Sequence, residues 1–134
     1  MRIFDFLYFS IHWHTDIRKD ELIYVESFGN GRFLIEYSNY TFDEPFTYVM
    51  DSIDGIKLNE LIEALKTDTW ESEYYPKNDI ILDGYYWDLH LSEEGENLKR
   101  FHGENAYPTG LKNIERIINY VKKLSKSDKY KKSE

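Results

Sequence analysis

Residues 87–103, WDLHLSEEGENLKRFHG, alternate apolar and polar side chains on either side of a glycine-bearing turn. Trp87, Leu89 and Leu91 fall two residues apart, and Phe101 answers them after the turn. Strand side chains point alternately to the two faces of a sheet, and directly opposed residues share a face. Pairing Leu89 with Phe101 therefore sets Leu91 against Lys99, Asp88 against His102 and His90 against Arg100. A slip of one residue would mix apolar with charged partners, so the hydrophobic pattern selects this register. The hairpin then has one apolar face and one polar face bearing Asp88, His90, Arg100 and His102. Only the first needs cover.

The same period runs through the first half of the chain. ELIYVESF and RFLIEYS flank Gly29-Asn30-Gly31, a centre that tolerates positive φ and so favours a hairpin. Residues 2–13 place Ile3, Leu7, Phe9, Ile11 and Trp13 on one side, with Asp5 the exception. Phe4, Phe6 and Tyr8 open the other side and Ser10, His12 and His14 close it, which predicts a strand buried on both faces at its start. FTYVMD (46–51) adds a further short strand. Helical spacing then takes over at Leu58, Leu61, Ile62 and Leu65, and the helix stops near Thr67. Residues 70–76 read as an aromatic-rich connection, and residues 80–82 resume extended structure before a turn at Asp83-Gly84. The last helix follows Pro108, with Thr109 as N-cap and an apolar stripe of Leu111, Ile114, Ile117, Ile118, Val121 and Leu124. The order β-β-β-(β)-α-β-β-β-α predicts an α+β fold: an antiparallel sheet of five to seven strands with two helices on one face. Residues 1–125 form the domain and residues 126–134 a charged tail.

The chain has 134 residues, of which 41% are hydrophobic and 17% aromatic, with twelve tyrosines and eight phenylalanines. Rings of that number bring enough buried area for a substantial core. Cysteine is absent, which removes disulfides, thiolate metal sites and a cysteine nucleophile together. The apolar opening MRIFDFLYFSIH is interrupted by Asp5 and lacks a small-residue cleavage site, so it does not read as a targeting signal. The expected localisation is cytoplasmic.

Net charge is -8, unevenly spread. Residues 1–110 hold 22 acidic and 9 basic side chains, a balance of -13, while residues 111–134 hold 3 and 8, a balance of +5. An acidic body repels phosphates and attracts cationic proteins, accelerating their encounter. Direct nucleic-acid binding by the main body is therefore disfavoured.

Two groups of histidines raise the question of chemistry. His12, His14 and Asp16 form a His-x-His-x-Asp run, a loose metal signal beside the helical His-Glu-x-x-His arrangement. His90 and His102 share a hairpin face with Asp88, where acid–base work is conceivable. A solvent-facing strand side of mixed charge accounts for both patterns more simply. The chain has no phosphate-cradling loop, dinucleotide fingerprint or nucleophile elbow. No catalytic residue, metal ligand or cofactor is nominated.

Between the hairpin and the last helix, DGYYWDLHL and FHGENAYP resemble a pattern of small uncharacterised bacterial proteins, Gly-x-x-Trp-x-Leu followed by Gly-x-Asn-x-Tyr-Pro. The matching positions are Gly84, Trp87, Leu89, Gly103, Asn105, Tyr107 and Pro108. The resemblance covers about the last third of the chain and implies a structural strand-to-helix joint, with Tyr107 stapling the loop to the core. It implies no activity.

These features predict a non-enzymatic, acidic, protein-binding inhibitor of a basic nucleic-acid-processing partner, of the anti-CRISPR or toxin-immunity type. The candidate contacts are Glu71, Glu73, Tyr74 and Tyr75 in the connection and Glu93, Glu94 and Glu96 at the hairpin tip, with Asp43 and Glu44 weaker. One alternative is a small histidine-dependent metal or acid–base enzyme. Another is a small-ligand or nucleotide sensor, which requires an apolar cavity of roughly 300 Å³ or more. No membrane partner is expected, and an exposed strand edge offers a route to a homodimer.

Overall fold

A computed structural model describes residues 3–39, 45–76 and 84–130. The chain forms β1 (Phe4–Trp13), β2 (Glu21–Gly29), β3 (Arg32–Asn39), β4 (Phe46–Met50), α1 (Ser52–Glu63), β5 (Glu73–Tyr74), β6 (Tyr85–Glu93), β7 (Lys99–Glu104) and α2 (Ile114–Ser125). The strands make one seven-stranded sheet in the order β4-β3-β2-β1-β6-β7-β5. Both helices cover the same face, giving the α+β architecture expected.

The opening hairpin has the register its hydrophobic pattern selects: Leu89 faces Phe101, Leu91 faces Lys99, Asp88 faces His102 and His90 faces Arg100. Across the sheet, Leu7 lies between Val25 and Leu91, and Phe9 between Ile23 and Leu89. Val25 in turn faces Ile35, and Ile35 faces Tyr48. Together with Leu58 and Ile62 of α1 and Ile117, Ile118 and Val121 of α2, these side chains form one buried core. Burying a branched aliphatic or aromatic side chain stabilises by about 1.5–3 kcal/mol, so this row is the main source of cohesion. The Tyr48 hydroxyl ties β4 to α2 by donating to the Val121 carbonyl at 2.8 Å.

Four local expectations are corrected. First, β1 carries a bulge between Phe4 and Phe6, which reverses the alternation at Asp5. Phe4 is thereby buried while Ile3 is exposed, and the Phe4 N–H donates to buried Asn59 of α1 at 3.1 Å. Among the described residues no second layer covers Phe6 and Tyr8. They are half-buried through lateral contacts, Phe6 edge-on to Tyr24 and Tyr8 against His90, each at 5.3 Å. Second, the sheet is mixed, because β5 runs parallel to β7 within residues read as connection. Trp70 packs on Trp87 and Phe101 and carries the chain to the free β7 edge. The strand expected over residues 80–82 lies outside the described residues.

Third, α1 starts at Ser52, six residues before its apolar stripe (58 less 52), because Asp51 caps it by accepting from the Asp54 N–H at 2.9 Å. Lys66 in the left-handed region breaks the helical path after Ala64. Fourth, Thr109 is not an α-helical N-cap. Thr109–Asn113 form a 3-10 lead-in without a side-chain cap, and α2 begins at Ile114. Gly110 there lies so close to the Leu65 carbonyl that any Cβ would overlap it.

The strand-to-helix joint is held differently from the expected staple. Trp87 donates through its indole to the Ala106 carbonyl at 2.9 Å, and a Cβ on Gly103 would collide with both partners. The Asn105 side-chain oxygen accepts from the Tyr85 N–H at 3.0 Å. Tyr107 remains 54% exposed, so the indole does the stapling. Past α2, Tyr130 packs on Tyr48 and donates to Asp54 at 2.6 Å, while Lys129 pairs with Asp51 and Asp54. Residues 131–134 lie outside the described residues. No helix among the described residues is long and apolar enough to cross a membrane.

Candidate functional site

Among the described residues no layer covers the opposite face of the sheet, and register identifies what that face presents. Tyr8 sits between Tyr24 and His90, Ser10 between Leu22 and Asp88, and His12 beside Tyr86. Tyr24 faces Glu36, Asp88 faces His102, and Glu104 faces Tyr86. Phe6, opposite Glu26, completes an aromatic surface studded with carboxylates. Among the described residues, alternation along the strands puts Glu26, Glu36, Glu73, Asp88 and Glu104 on this face against two guanidiniums, those of Arg32 and Arg100. Tyr24 donates to Glu26 at 2.7 Å, and this bond to a carboxylate, helped by burial, pushes its hydroxyl up to about 12.

All four histidines border this face. His12 and His14 stand at one end, their ring centroids 5.9 Å apart, both beside Tyr86. Buried Asp20 reaches His12 Nδ1 at 2.5 Å and accepts the Trp13 N–H at 2.7 Å. Asp20 therefore anchors the loop after β1 as well as orienting an imidazole. His102 lies apart, hydrogen-bonded to Tyr75 at 3.0 Å and 3.9 Å from Glu73. Among the described residues no three His, Cys, Asp or Glu side chains converge as metal ligands. Charge pairs exist on this surface, among them His12 with Asp20 and His102 with Glu73.

The candidates named from sequence separate into two places. Glu73 and Tyr75 join the uncovered face at the β5 edge, beside His102. Glu71 is exposed next to them, and its N–H is taken by the Tyr74 hydroxyl at 2.8 Å. Tyr74 turns the other way and packs against Trp87. Glu94 and Glu96 are exposed at the hairpin tip, while Glu93 is half-buried opposite Phe4. The near half of β7 lies between tip and edge, and its Lys99 pairs with Asp68 at 3.7 Å. The two groups do not merge into one patch. Asp43 and Glu44 lie outside the described residues.

Sequence reading passed over Glu26, Glu36 and Glu104, although alternation within ELIYVESF and RFLIEYS already sets Glu26 and Glu36 opposite the core side chains. It had no means of finding a cavity of about 820 Å³ on the helix-covered side, where the ends of β1, β2 and β3 meet the start of α2. No protein-family model and no curated protein matches the chain.

Proposed function

We propose that the protein is a non-enzymatic binding module whose uncovered sheet face docks a basic nucleic-acid-processing protein and blocks it. The observation that supports this reading is the excess of five carboxylates over two guanidiniums on a tyrosine-bearing face that no described residue covers with a second layer. Carboxylates mimic the phosphates that a basic groove binds, and complementary potentials speed encounter and exclude acidic competitors. Tyrosine supplies large contact area at low conformational cost, so Tyr8, Tyr24, Tyr75 and Tyr86 serve as anchors amid that charge. Anti-CRISPR inhibitors and toxin-immunity proteins are the classes this arrangement suits.

The test is affinity capture from a host lysate, followed by an activity assay on the purified captured protein. The expected result is a basic nuclease or related enzyme that loses activity on binding and is released as salt rises. Glu26→Lys, Glu36→Lys and Asp88→Lys combined should abolish its capture. Glu71→Lys with Glu96→Lys, outside the face, should weaken capture far less. Capture that is indifferent to salt, or that survives the triple reversal, would overturn the reading.

A further inference from the structure

The helix-covered side carries a second, oppositely charged feature. At the Trp13 end of β1 a cavity of about 820 Å³ lies between the sheet and α2. This lies within the ~300–1,000 Å³ range of small-molecule sites. Its aromatic walls include Trp13, Tyr37, Tyr85 and Tyr107, with Trp13 and Tyr85 4.7 Å apart between centroids. Arg18, Lys19, Lys112 and Lys122 also line it, against the two carboxylates Glu21 and Glu115. Among the described lining residues the balance is cationic, although Arg18 is paired with Asp16 at 3.1 Å, in a protein of net charge -8.

The polar groups are arranged in order. Tyr37 donates to Glu21 at 2.6 Å and accepts from the Asn39 amide at 3.1 Å, which fixes the Glu21 carboxylate in the wall. Lys122 lies 5.4 Å over the Tyr37 ring and Lys19 lies 5.0 Å over Trp13, so each cation sits beside an aromatic surface. Lys112 makes no ion pair among the described residues. A ligand matching these walls must offer a flat ring to the aromatics and negative charge to the ammonium groups.

We infer that this cavity binds a small aromatic anion, a planar ring system carrying a phosphate or carboxylate group. Nucleoside monophosphates and aromatic carboxylates share that chemistry. The ring stacks in the Trp13–Tyr85 part of the cavity, and the anion is held by the surrounding lysines. The cavity opens on the opposite side of the sheet from the acidic face. Loss of one activity therefore leaves the other intact.

The experiment is thermal denaturation and nuclear magnetic resonance titration of the full chain with four probes. These are a nucleoside monophosphate, its parent nucleoside, an aromatic carboxylate, and inorganic phosphate. At least one aromatic anion should raise the melting temperature saturably and shift the Trp13 and Tyr85 resonances. The neutral nucleoside and the bare phosphate should each bind at least about tenfold more weakly. Whichever aromatic anion binds more tightly identifies the anionic group preferred. Lys112→Glu, an exposed change that leaves the core untouched, should weaken binding by about tenfold or more. The proposal fails if neither aromatic anion binds, if the nucleoside binds as well as its phosphate, or if Lys112→Glu has no effect.

Discussion

Gly55 stands in the first turns of α1 with the Gly31 carbonyl of the β2–β3 turn directly against it, and a Cβ there would overlap that oxygen. Alanine normally favours a helix over glycine by about 1 kcal/mol. Here Gly55→Ala should instead destabilise the fold by on the order of 1–3 kcal/mol, since backbone must move to admit it. Urea denaturation checks the sign; a gain in stability would contradict the contact. Glu115 offers a second test. Partial burial at the cavity rim, and then the charge of Glu21, raise its carboxyl above the usual range, while Lys122 opposes them. A raised carboxyl pKa means that the folded state loses stability as pH rises from the ordinary carboxylate value through the raised one. Glu115→Gln should therefore raise the melting temperature at neutral pH. That gain should vanish below about pH 4, where the unfolded carboxyl is protonated as well. A gain independent of pH would point to packing rather than charge.

At the scale of elements, Asp51 carries the opposite sign. The Asp54 N–H, and next Lys129, hold its carboxyl below the usual range. The resulting stability is present above the ordinary carboxylate pKa and is lost as pH falls through the lowered one. Asp51→Asn should lower the melting temperature at neutral pH, with the difference narrowing in acid; an unchanged difference would remove the charge-based cap. The apolar stripe from Leu58 marks α1 in the sequence, while its start at Ser52 is set by the Asp51 cap, which lies outside that stripe. The hairpin registers were legible because alternation has a period of two and each wrong register buries a charge. The bulge at Asp5 was not, since an inserted residue shows itself only through the partner that accepts the Phe4 N–H. Nor was β5, whose two residues pair with β7 because Trp70 delivers the chain to that edge. Such elements depend on contacts between distant residues, and local period carries no trace of them.

For the whole molecule, one sheet separates two environments. Helices cover one face and leave a cationic, aromatic cavity at its end, while the other face presents carboxylates among tyrosines. The acidity of the body was legible from composition, but its placement was not, because net charge is blind to which face each strand residue occupies. The candidates taken from the connection and the hairpin tip followed local density of charge. The face assembles its charge from five strands, β2, β3, β5, β6 and β7. Hydroxyl-radical footprinting of the protein in complex with its captured partner resolves the two sides by side chain. Protection should fall on Tyr8, Tyr24, Tyr75 and Tyr86, with Tyr107 at the cavity labelled as in the free protein. Protection of Tyr107 with the other four unchanged would contradict recognition through the uncovered face.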